Sequence, residues 1–121
     1  MIVSVDVTQD DINFGERRCM TRCMVARAIR RLVERDVIVE ADDGNITLCR
    51  CSAGNVISCI LDTPPTVGIM ILRYDKGEPV IPFGFDLDIP EHFLRRKGNG
   101  SFLGQLTSAI SMLPSMSLGI A

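Results

Sequence analysis

Tryptophan is absent from this 121-residue chain, tyrosine occurs once, and aromatic residues make up only 5% of the sequence. A core must therefore come from Val, Ile, Leu and Met, and stacking platforms for unpaired bases are scarce. Histidine also occurs once, as His92, and a general base needs a positioned partner that the sequence does not name. No apolar run approaches the length that crosses a membrane, and no basic leader precedes the first apolar residues. The five cysteines, Cys19, Cys23, Cys49, Cys51 and Cys59, form an odd set, which predicts reduced thiols and a cytoplasmic setting. Cys19-x3-Cys23 and Cys49-x-Cys51 both lack the two-residue knuckle of structural zinc, so no metal or cofactor is predicted. A nucleophile elbow, a phosphate-cradling glycine loop and a metal-carboxylate motif are missing too, so the reading leans away from an enzyme.

What the chain does have is a hydrophobic content of 46%, enough for one folded domain at this length. Its alternating runs predict strands at 2–7, at 37–39 and 46–48 around an Asp42-Asp43-Gly44-Asn45 turn, at 56–61, and at 83–89. Thr8 followed by Asp10 and Asp11 predicts a short helical turn broken by residues 13–15. A main helix is expected over roughly Cys19 to Arg35, with Val25, Ala28, Ile29 and Leu32 as its buried stripe. Pro64-Pro65 predicts the start of a second helix that stops at Gly77, although Gly68 leaves a strand open there. The expected fold is α+β, roughly β-α-β-β-β-α-β, with a mostly antiparallel sheet, one long arginine-rich helix and a second helix.

Residues 1–97 are read as that single domain and 98–121 as a glycine linker followed by an apolar segment without charge. Phe102, Leu106, Ala109 and Leu113 keep helical spacing, which suits an oligomerisation or docking helix. A disordered tail is the other reading of the same stretch.

The net charge is −2, which does not describe a general nucleic-acid binder. The charges are nevertheless segregated. Asp6, Asp10, Asp11 and Glu16 occupy the first sixteen residues without a base, whereas residues 17–35 carry seven arginines, no lysine and only Glu34 as an acid. Guanidinium forks grip phosphate and carboxylate bidentately where lysine acts as a point charge. Arg17, Arg18, Arg27, Arg30 and Arg31 are therefore the candidate anion site, against the plainer reading of a solvated face. Asp86 and Asp88 share a strand face that is read as solvated, and His92 as a turn residue.

Val7-Thr8-Gln9-Asp10-Asp11-Ile12, Gly15, and Cys23-Met24-Val25-Ala26 with Ala28-Ile29 resemble a block in small uncharacterised bacteriophage and prophage proteins. There a "VTxxDIxxG" opening precedes a "CPVALA" helix. Arg73-Tyr74-Asp75-Lys76-Gly77-Glu78-Pro79-Val80 with Pro82-Phe83 is similar to their second block, so the likeness covers roughly residues 5–90. Met24 stands in place of their proline and Arg27 in place of their leucine. The resemblance implies a phage origin and carries over no functional residue.

Together these features predict a non-enzymatic phage-encoded binding protein that sequesters a nucleotide-derived immune signal on its arginines. Two alternatives stand beside it: a protein–protein inhibitor or adaptor of a host enzyme, and a nucleic-acid-binding accessory protein. The expected partners are a phosphate-bearing small molecule or an acidic protein surface, with a homo-oligomer through the C-terminal segment and no membrane.

Overall fold

The computed structural model describes residues 1–96; the expectations for 98–121 fall outside the described residues. In chain order the elements are β1 (Ile2–Val7), α1 (Gln9–Phe14), α2 (Met24–Arg30), β2 (Ile38–Ala41), β3 (Asn45–Ser52), β4 (Asn55–Asp62), α3 (Pro65–Asp75), β5 (Phe83–Asp88) and a single 3-10 turn, Glu91–Phe93. This is an α+β fold with antiparallel sheets, as the apolar patterning predicts; the described residues hold three α-helices, the expected turn after Thr8 being a six-residue helix of its own.

The strands form two sheets. β1 pairs with β5, Ile2 opposite Asp88 and Val7 opposite Phe83. β2, β3 and β4 form a meander in that order, with β3 central. Successive side chains on a strand take opposite faces, and the alternation in β3 turns Ile46 and Leu48 inward. Val5, Val7, Val39, Ile46 and Leu48 are buried, and α2 packs against both β1 and β2. Phe93 and Tyr74 supply the largest buried side chains of this aliphatic core.

The turns follow from local chemistry. In α1, the Thr8 side chain accepts from the Asp11 amide at 3.2 Å and the Asp11 carboxylate accepts from the Thr8 amide at 2.9 Å, a reciprocal cap. Asp42 Oδ1 accepts from the Gly44 and Asn45 amides and so closes the β2–β3 turn. The β3–β4 turn, Ala53-Gly54, has both residues at positive φ, +51° and +80°, which matches the twist of a two-residue hairpin. α3 starts at Pro65 and resolves the ambiguity at Gly68 in favour of helix. Its end is a Schellman motif, in which the Gly77 amide donates to the Tyr74 carbonyl and the Glu78 amide to that of Arg73.

The main helix is shorter than the expected Cys19–Arg35. Arg18 takes φ +60°, and Cys23 is extended and serves as N-cap. Residues 16–22 close a loop instead: the Glu16 amide donates to the Arg22 carbonyl while Arg22 Nε donates to Glu16 Oε2 at 2.7 Å. The Met20 carbonyl accepts from the Ala41 amide of β2, so it bonds a sheet rather than the next helical turn. At the other end, Val33 bridges to Leu94. Tertiary partners take the backbone groups that helical periodicity assigned to the helix.

Candidate functional site

The five candidate arginines divide among three places. Arg27 and Arg31 lie four residues apart and both turn toward Asp11. The Asp11 side chain is 0% exposed, and Arg31 holds it with both terminal nitrogens, Nη1 to Oδ1 at 2.6 Å and Nη2 to Oδ2 at 2.7 Å. Nη2 also donates to the Asp6 carbonyl at 2.8 Å, tying β1, α1 and α2 together. Arg27 Nε lies 3.4 Å from Asp11 Oδ1 and is buried without a hydrogen bond of its own. Burial by itself pushes the Asp11 carboxyl up. The hydrogen bonds from Arg31 and Thr8 and the nearby positive charge outweigh burial and hold it below the usual carboxylate range. Two of the five are therefore committed to a structural carboxylate.

Arg30 is exposed on the last turn of α2, away from Asp11, and forms no ion pair among the described residues.

Arg17 and Arg18 lie at a different place, against the C-terminal end of α3. Arg17 Nε donates to the Tyr74 carbonyl at 2.9 Å, and its guanidinium carbon sits 5.4 Å from the centre of the Tyr74 ring. A cation suits the partial negative charge at a helix C-terminus and the face of an aromatic ring. Tyr74 itself is buried, donating from its hydroxyl to the Ile12 carbonyl at 3.3 Å. Burial pushes its phenol up. Gly15 allows this approach, since a Cβ there would lie 2.5 Å from the Tyr74 hydroxyl and 2.9 Å from the Met24 nitrogen.

Arg18 holds the left-handed conformation that an L side chain rarely adopts, and its amide donates to Asp75 Oδ1 at 2.8 Å. Arg17, Arg18, Asp75, Lys76 and Gly77 line an open cleft of about 540 Å³. Three cations face one carboxylate there, and that carboxylate already accepts from the Arg18 backbone. The terminal nitrogens of Arg17 and the side chains of Arg18 and Lys76 make no hydrogen bond or ion pair to another described residue. A second cleft, lined by Glu34, Arg35, Asp36, Arg50 and Arg95, mixes both signs, and Arg50 is forked onto Asp36 at 2.9–3.2 Å.

Lys76 and Asp75 were not among the sequence candidates. Lys76-Gly77 reads in sequence as a helix stop, and only the fold brings that stop beside Arg17. Of the other residues considered, His92, Asp86 and Asp88 are exposed. The cysteines are free thiols, and no group of three metal-ligating side chains comes together among the described residues. No helix among them is long and apolar enough to cross a membrane.

Comparison with protein-family models, with curated proteins and with solved structures returned no match.

Proposed function

We propose that this chain is a binding protein, not an enzyme, and that it takes a phosphate-bearing small molecule in the cleft between Arg17-Arg18 and the end of α3. The observation that carries this reading is the excess of cations in the cleft, Arg17, Arg18 and Lys76 against the single, already engaged Asp75. A guanidinium fork and a mobile ammonium are complementary to a phosphate group. The strained backbone at Arg18 adds support, because residues held in sparsely populated conformations gather at ligand sites. The cleft is open to solvent, and its polar lining suits a charged ligand. With the phage resemblance, a nucleotide-derived immune signal is the proposed ligand class, and sequestration in the host cytoplasm its purpose.

Arg27 and Arg31 leave the proposed site, because both are drawn onto the buried Asp11 carboxylate; Arg30 contributes at most a peripheral charge. Isothermal titration with inorganic phosphate, mononucleotides, cyclic nucleotides and ADP-ribose derivatives tests the proposal. Saturable binding to one class, lost in Arg18→Ala/Lys76→Ala and kept in Arg30→Ala, is the expected result. No binding across the panel, or binding indifferent to the double substitution, overturns it.

A further inference from the structure

A sheet edge is a row of backbone donors and acceptors open to another strand, and proteins blunt such edges with charge, proline or short length. Three of the four edge-forming strands among the described residues are blunted. β1 carries Asp6, β5 carries Asp86 between Pro82 and Pro90, and β2 is four residues long with Glu40 within it and its Ala41 amide already bound to Met20. β4 is different. It is eight residues long, it ends its sheet among the described residues, and Val56 to Leu61 contains no charge and no proline. Val56 and Ile60 are 67% and 69% exposed, so two large apolar side chains flank Ser58 on its solvent face, and the only charge of the strand is Asp62 at its end.

The open backbone groups can be assigned. The two-residue turn closes on Ser52–Asn55, a hydrogen-bonded pair, and such pairs alternate along an antiparallel ladder. The Thr63 amide bonds the Gly44 carbonyl at 3.1 Å, which gives the same parity at the far end. Asn55, Ile57, Cys59 and Leu61 therefore spend their backbone groups on β3. The amides and carbonyls of Val56, Ser58 and Ile60 point to the open edge.

We infer that β4 is a self-association edge, on which a second copy of this chain pairs its own β4 antiparallel about a two-fold axis through Ser58. In that register Ser58 faces Ser58 of the second copy, and each Val56 faces an Ile60. All three edge residues exchange hydrogen bonds, and every side chain stays on its own face, as strand pairing requires. The most exposed apolar side chains of β4 become cross-strand neighbours, twice over by symmetry. The result is a continuous six-stranded sheet. One strand pair with these side chains buries less than the ~1,200 Å² of a stable complex, so the dimer is of the transient, concentration-dependent class. This inference is independent of the anion cleft, which lies on α3.

The test is sedimentation equilibrium of the full chain over an about hundredfold dilution series, with residue-resolved amide exchange at both ends. The expected result is a monomer–dimer equilibrium in which the Val56, Ser58 and Ile60 amides gain protection with concentration while those of Ile57 and Cys59 stay protected throughout. Ser58→Pro removes an outward donor and no β3 bond, and is expected to give a folded monomer. A charge pair tests the register without relying on proline. Val56→Lys/Ile60→Lys sets lysines opposite each other, and Val56→Glu/Ile60→Lys sets opposite charges there, so their dimer constants should differ by about tenfold. A monomer at every concentration overturns the inference, whether those three amides are unprotected or are covered by residues 101–113 of the same chain. A dimer that leaves them unprotected, or charge variants that behave alike, also overturns it.

Discussion

At the scale of single residues, Asp11 is where the acidic opening and the arginine block of the sequence meet. It is fully buried, caps α1 and accepts the fork of Arg31. Breaking a buried pair by neutralising one partner typically costs about 3–5 kcal/mol, because the remaining charge loses its counter-ion. Arg31 is half exposed, so water compensates part of that loss, and Asp11→Asn is expected to cost about 3 kcal/mol. The acid side carries a linked signature. The folded carboxyl is held below its ordinary value of 3.8, so its contribution is complete above that pH and is lost as pH falls through the folded value. Urea unfolding from pH 7 to pH 2 should therefore show a lower starting stability and a shallower acid decline in Asp11→Asn. Parallel curves for the two proteins would remove Asp11 from its assigned role. The choice of arginine over lysine in residues 17–35 finds part of its explanation here. Arg31 needs a planar fork to reach both oxygens of Asp11 and the Asp6 carbonyl at once. The charge asymmetry was legible in the sequence; that it would be resolved internally, across twenty residues of chain, was not.

Among the elements, those that depend on local chemistry were the ones the sequence made readable. Alternation located the strands, Thr8 and Asp11 located α1, and Pro65 and Gly77 bracketed α3. The α2 boundaries were not readable because nothing local stops a helix at Met20 or Thr21. Its start is set by the Met20 carbonyl serving β2 and by the loop that joins Glu16 to Arg22. The cleft was half readable for the same reason, since Arg17 and Arg18 meet Lys76 only through tertiary structure. The β3–β4 turn shows the converse, a local rule broken. Ala53 sits at φ +51°, where an L residue other than Asn or Asp is strained, while Gly54 follows comfortably at +80°. Ala53→Asn installs the preferred pair for this turn and should stabilise by about 0.5–1 kcal/mol, raising the melting temperature by a few degrees. A melting temperature unchanged or lowered in that variant would mean the turn carries no strain to relieve.

At the scale of the whole molecule, both sheets lean on α2, so the core is shared and its exposure should be all-or-none. The five thiols report on this directly. Cys51 is exposed, whereas Cys23 is buried beneath β2 with its sulfur 3.8 Å from the Ala41 carbonyl, and burial pushes its thiol up. Labelling under native conditions should modify the accessible thiols Cys51 and Cys19 first, the latter's thiol being lowered by its hydrogen bond with Thr21, and leave Cys23 until global unfolding, with a rate that tracks the unfolding free energy. Early modification of Cys23 would show that α2 opens by itself. The pairing of β1 with β5 has a further consequence, one of timing. The hairpins of β2, β3 and β4 are closed by neighbours in sequence, but Val7 must wait for Phe83 and Ile2 for Asp88. At roughly 5–20 residues per second, the ribosome needs several seconds to supply that partner strand. For that interval β1 is an unpaired apolar segment on a nascent chain, and contacts of such long sequence separation are slow to form even afterwards. The meander can assemble before β5 has been made; the two-stranded sheet, and with it the closed core, must wait until Phe83–Asp88 is available.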